Sequence, residues 1–119
     1  MLVVEDEPGV HELAIRALRG GRYRVLSAAG GPEALELAAR TSEPIHLLVT
    51  DVVMPGLSGK QVADALVAQR PGLRVLYVSG YTENTIVHHG VLDAGVHFLS
   101  KPFTPGSLLE KVRRVLDGS

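Results

Sequence analysis

Short apolar runs alternate with one-sided helical stripes along the whole chain. Leu2-Val3-Val4 is an apolar run stopped by Glu5-Asp6-Glu7. Pro8 then opens a pattern with Val10, Leu13, Ala14, Ala17 and Leu18 on one helical face, and Gly20-Gly21 closes it. Tyr23-Arg24-Val25-Leu26-Ser27 alternates in the manner of an edge strand. Gly30-Gly31-Pro32 starts a second helix, with Leu35, Ala38 and Ala39 expected to face inward. After Pro44, His46-Leu47-Leu48-Val49-Thr50 is nearly continuous in apolar residues, which suits a central strand covered on both faces.

Ser58-Gly59-Lys60-Gln61 has the form of a capping box, serine at the N-cap and glutamine three residues on, ahead of a third helix with Val62 and Leu66 inward. Pro71-Gly72 precedes a fourth strand, Arg74 to Ser79. Thr82 can cap a fourth helix, punctuated by Gly90 and Gly95, and Val96-His97-Phe98-Leu99 reads as a fifth strand. Thr104-Pro105 is an N-cap followed by an N1 proline, and Leu108, Leu109, Val112, Val115 and Leu116 stripe a fifth and last helix. Strand–helix units in this order, joined by short loops, predict a parallel sheet with helices on both faces. In such a sheet the chemistry sits beyond the carboxyl ends of the strands.

Composition narrows the function classes. The 119 residues suit one domain, 1–119, and the apolar fraction of 45% supports a packed core. Charge is nearly balanced at -1, which implies no general attraction to nucleic acid or to a membrane surface. With no cysteine, disulfides, thiolate catalysis and cysteine-ligated metal are excluded. The chain has no apolar run near the length of about 20 residues that a membrane span needs, and we expect it in the cytoplasm.

The strand ends carry the candidate chemistry. Strand one ends in Glu5-Asp6, strand three in Asp51, strand four in Ser79, and strand five in Ser100-Lys101. Like charges about 4 Å apart repel by roughly 4 kcal/mol at an effective dielectric near 20, so gathering these carboxylates calls for a cation. Mg²⁺ suits an all-oxygen donor set. A carboxylate facing both a metal and a lysine is equipped for phosphoryl transfer, with Asp51 as nucleophile and Lys101 neutralising the moving oxygens.

These residues resemble the receiver domains of bacterial response regulators. The resemblance is carried by Leu2 to Pro8, Thr50-Asp51-Val52-Val53-Met54-Pro55-Gly56-Leu57-Ser58-Gly59, Val78-Ser79-Gly80-Tyr81, and Ala94-Gly95 through Lys101-Pro102-Phe103. It implies a flavodoxin-like (βα)5 sandwich with a five-stranded parallel sheet of order 2-1-3-4-5. It implies Asp51 as phosphoacceptor, loaded by the phosphohistidine of a histidine kinase or phosphotransfer domain. Mg²⁺, or Mn²⁺ in its place, would be held by Asp6, Asp51, the Val53 backbone carbonyl and, through water, Glu5. Ser79 would be the switch hydroxyl, Phe98 the switch aromatic, Lys101 the phosphate-pairing cation, and Lys101-Pro102 a cis peptide. Downstream targets would dock on the face made by helix four, strand five and helix five. The stretch from Val78 to Gly95 is similar to receivers at the C-terminus of hybrid sensor histidine kinases. By itself such a domain is a self-phosphorylating and self-dephosphorylating switch; a hybrid-kinase parent chain would be an enzyme, and the resemblance is compatible with a membrane anchor on that parent.

Val53 stands where many receivers carry a polar side chain, and with Tyr81 it is expected to shield the phosphoryl group and slow its loss. Two other functions use some of the same residues. An aspartyl-phosphate hydrolase needs a general acid two residues after its nucleophile, where this chain has Val53. A pseudo-receiver would bind partners without phosphorylation, against which the intact acidic set argues. Taken alone, the acidic run at Glu5 is an ordinary solvated face, and only its match with Asp51, Ser79 and Lys101 raises it above that. Adjacent His88 and His89 do not share a helical face, so they do not form a metal pair.

Overall fold

A computed structural model describes residues 1–80, 90, 92 and 96–118. The strands are β1 (Leu2–Val4), β2 (Leu26–Ala28), β3 (Leu47–Asp51), β4 (Arg74–Ser79) and β5 (His97–Ser100), and the described helices are α1 (Pro8–Gly20), α2 (Gly31–Arg40), α3 (Gly59–Gln69) and α4 (Pro105–Asp117). The strands form a five-stranded sheet of order β2-β1-β3-β4-β5, with every neighbouring pair parallel. This is the flavodoxin-like architecture. The helix expected from Thr82 lies outside the described residues, so the last helix of the chain is α4.

Alternation along the strands divides the core into two layers. Val3, Leu47, Val49, Leu76 and Val78 pack with α1 and α4 through Ala14, Leu18, Leu108, Val112 and Val115. Leu2, Val4, Leu48 and Tyr77 face the other way, against Ala34 and Ala38 of α2 and Val62, Ala63 and Leu66 of α3. Every residue of β3 is buried, as its unbroken apolar run requires of a strand covered on both sides.

The helix starts follow local chemistry. Ser58 Oγ accepts from Gln61 N while Gln61 Oε1 accepts from Ser58 N, closing the capping box of α3. Thr104 caps α4 in the same reciprocal way with Ser107.

Three expectations shift. β2 is Leu26–Ala28 rather than Tyr23–Ser27, because only these residues come alongside β1, where Leu2 pairs with Leu26. The inward face of α2 is Gly31, Ala34 and Ala38, with Leu35 and Leu37 at its margin, and Ala39 is exposed. A four-residue step from Ala34 reaches Ala38, and the next position has turned about 100° away. At the end of α1 it is Arg22, not a glycine, that takes the left-handed conformation (φ 68°). That costs about 1 kcal/mol relative to glycine.

Candidate functional site

Strand parity assembles the centre of the site. Glu5, Asp51 and Lys101 each stand two residues beyond an apolar residue of the α1–α4 layer, namely Val3, Val49 and Leu99. All three therefore rise above the same face at the carboxyl edge of the sheet. Lys101 Nζ lies 2.6 Å from Glu5 Oε1, 3.0 Å from Asp51 Oδ2 and 3.2 Å from Glu7 Oε1. The Lys101 and Asp51 side chains are only 10% and 7% exposed, so this contact is shielded from water. Such pairs persist where desolvation is offset by several partners at once.

The backbone around Asp51 is fixed from several sides. Val52 N donates to Val78 O, Gly59 N donates to Val52 O, and Thr50 Oγ1 donates to Asp51 O. Lys101 is seated by its own amide, which donates to Ser79 O, and the peptide that follows it, Lys101-Pro102, is cis. Glu5 is held by Glu7 N donating to its Oε2, while its backbone carbonyl faces His11 Nδ1 at 2.9 Å.

Burial pushes the Glu5 carboxyl up to about 7. The Lys101 contact and the Glu7 amide pull it down, and the Asp51 charge adds to the upward push. Burial acts the other way on Lys101, yet Glu5 and Asp51 together hold its ammonium above the ordinary lysine value. Without metal the fold thus favours protonated Glu5. The stability that this contributes is complete below pH 4.5 and is lost as pH rises through about 7. Melting temperatures taken in chelator should accordingly fall between pH 5 and 8, and Glu5→Gln should flatten the fall. A slope that survives the substitution would exclude Glu5 as its source.

The donor set fits a hard divalent cation. Ligand oxygens of Glu5, Asp6 and Asp51 lie within 4.8 Å of one another. Glu5 Oε1 is buried without an aligned hydrogen bond, its approach to Lys101 being an ion pair out of line for donation. An oxygen left so is matched to a metal or to a water held by one. Asp6, next to it, is exposed and reaches the cluster from the solvent side.

The remaining candidates flank this centre. Ser79 is buried at the end of β4, in step with Tyr77 and so on the parity of the α2–α3 layer. Phe98 is half-buried on β5, opposite Tyr77 and packed against that same layer. Val53, two residues after Asp51, is 53% exposed. Tyr81 and the histidines at 88 and 89 lie outside the described residues.

Two further residues belong to the site. Glu7 reaches Lys101, although its position in an acidic run marks it as a surface residue. Gly59 packs on Asp51 itself: a Cβ there would lie 2.0 Å from the Asp51 carbonyl oxygen. Its place behind the Ser58 cap and at the end of the Thr50–Gly59 stretch marked it, but neither reveals what the helix start touches.

The response regulator receiver domain model matches residues 1–113. The chain belongs to the receiver family. Its sequence is 36% identical over 117 residues to the sensor kinase CckA of Brucella abortus, covering 98% of this chain and 12% of that protein. The chain therefore spans about one eighth of that relative's length. Among solved structures, the receiver domain of the hybrid histidine kinase CckA superposes with a TM-score of 0.80 at 37% identity, covering 97% of this chain and 96% of that one. The response regulator TrrA of Thermotoga maritima, in complex with Mg²⁺ and beryllofluoride, superposes at 0.76 with 29% identity, covering 96% of each chain. This receiver domain thus carries an acidic pocket with one lysine drawn into it, and none of its described helices is long and apolar enough to cross a membrane.

Proposed function

We propose that Asp51 accepts a phosphoryl group from the phosphohistidine of a histidine kinase or phosphotransfer domain. The observation that carries this is the buried Lys101 ammonium, 3.0 Å from Asp51 and 2.6 Å from Glu5, at the carboxyl edge of a receiver sheet. An Asp51 oxygen forms the new O–P bond as the P–N bond breaks. The imidazole leaves with the electron pair and is kept neutral by a solvent proton. Lys101 is already seated where it can pair with the arriving oxygens, so little reorganisation accompanies the step. Asp6, Asp51 and the Val53 carbonyl, with Glu5 acting through water, would hold Mg²⁺, or Mn²⁺ in its place, and the ion would supply further neutralisation of charge.

Once loaded, the phosphoryl group would draw in the Ser79 hydroxyl. Half-buried Phe98 would then change position and alter the face that includes β5 and α4, together with the helix expected from Thr82. That face is where a downstream protein would dock. Residues 1–119 would serve as one receiver module, in a longer cytoplasmic chain of the hybrid-kinase type, to which the CckA likeness points.

Incubation with acetyl phosphate and Mg²⁺, read by intact mass, tests the reading. A single phosphoryl adduct that Asp51→Asn abolishes supports it. No adduct would favour a pseudo-receiver, and donor turnover without an adduct would favour a hydrolase.

Val53, apolar, exposed and two residues after the acceptor, offers no polar group to orient an attacking water. The acyl phosphate should therefore decay slowly, and Val53→Asn should speed its decay severalfold, within the 10²-fold lower range of positioned proton-transfer groups. Equal decay curves for the two proteins would assign the lifetime to other residues.

A further inference from the structure

We propose that Glu7 is a positioning residue that competes with the incoming phosphoryl group for the Lys101 ammonium, and so sets how readily Asp51 is loaded. The inference rests on the phosphoacceptor reading above. A lysine ammonium has three N–H donors. Around Lys101 Nζ stand Glu5, Asp51 and Glu7, at 2.6, 3.0 and 3.2 Å. Two N–H groups are committed to Asp51 and Glu7, and Glu5 crowds the ammonium as an unaligned ion pair. An arriving phosphoryl oxygen thus meets a cation already shared by three carboxylates, and one of them has to give way.

Glu5 and Asp51 are poorly suited to release it, because their side chains are 2% and 7% exposed and rehydrate little on moving. The Glu7 side chain is 61% exposed and can turn into water at small cost. Its backbone position supplies a second, independent observation. Glu7 is the N-cap residue of α1, extended at φ -84° and ψ 115°, where a side-chain acceptor ordinarily satisfies a first-turn N–H. Its side chain makes no capping bond. The carboxylate instead spans to a lysine 94 positions later in the chain, leaving its own helix start uncapped.

In the exchange Glu7 Oε1 leaves Nζ and a phosphoryl oxygen takes its place; no proton moves. The resting site is thereby held closed by a weak, solvent-facing contact, while the two buried ion pairs stay in place.

Glu7→Gln removes the charge with little change of shape. Glu12→Gln, which breaks an exposed pair with Arg16 on the same helix, removes an equal charge elsewhere. Both are compared with wild type for beryllofluoride affinity in Mg²⁺ and for the rate of loading from acetyl phosphate, at low and high salt. The expected result for Glu7→Gln is binding and loading improved about two- to fivefold at low salt, shrinking as salt screens the exposed charge. Glu12→Gln should stay near wild type, and a merely structural role for Glu7 would produce no salt-dependent gain. Unchanged or weaker binding in Glu7→Gln overturns the proposal and leaves Asp51 as acceptor. If wild type takes neither beryllofluoride nor phosphoryl, the acceptor reading fails and this inference falls with it.

Discussion

Gly59→Ala is expected to cost about 3 kcal/mol of stability, even though alanine is the better helix former by about 1 kcal/mol. A Cβ at this position would lie 2.0 Å from Asp51 O, 2.9 Å from Asp51 C and 3.0 Å from Val52 Cα. All of these are backbone atoms, and none can step aside. Asp51 pairs in the sheet with Val78, and Val52 N donates to Val78 O. The first turn of α3 would have to lift off the end of β3, breaking the bond from Gly59 N to Val52 O. Urea unfolding of the variant beside Gly9→Ala provides the contrast. Gly9 lies in the first turn of α1 with nothing within 4 Å of an added Cβ, so alanine there should be neutral or slightly stabilising. Equal midpoints for the two variants would mean that α3 does not rest on the acceptor residue.

Lys101→Met should show the second large effect, and its sign depends on conditions. The substitution keeps much of the side chain's bulk but leaves Glu5 and Asp51 buried together without the ammonium between them. Removing one partner of a buried pair typically costs 3–5 kcal/mol, so a loss of about 3 kcal/mol is expected at pH 8 in chelator. Toward pH 5 the loss should shrink. Burial and the Asp51 charge already raise the Glu5 carboxyl, so without its lysine it protonates more readily and the repulsion disappears. Mg²⁺ should restore part of the stability at pH 8 by supplying the missing positive charge. Thermal melts at both pH values, with and without Mg²⁺, check this; a deficit independent of pH and metal would point to lost packing instead.

Much of the architecture was legible because it depends on neighbours in sequence. Capping boxes are built from residues three apart, so Ser58-Gln61 and the Thr104 cap announced the starts of α3 and α4. An apolar run as dense as that of β3 has no solvated face and must lie in the middle of a sheet. Strand ends could be aligned by counting, which brought Glu5, Asp51 and Lys101 to one edge before any distance was known. The edge strand was less legible. β2 is held on one side only, and its paired residues are set by what β1 presents, three positions beyond where alternation alone placed its start.

What the chain determines locally is therefore the order of its elements, their caps, their buried faces and the parity of the acidic and basic residues at the strand ends. Tertiary structure alone decided that Glu7 reaches Lys101 across 94 positions instead of capping its own helix. It also decided that Gly59 must lack a side chain because a strand carbonyl occupies the space. The physical reason is the range of the interactions. Periodicity and capping act within a few residues, whereas an ion pair or a steric contact between segments exists only after the sheet has brought them within a few ångströms.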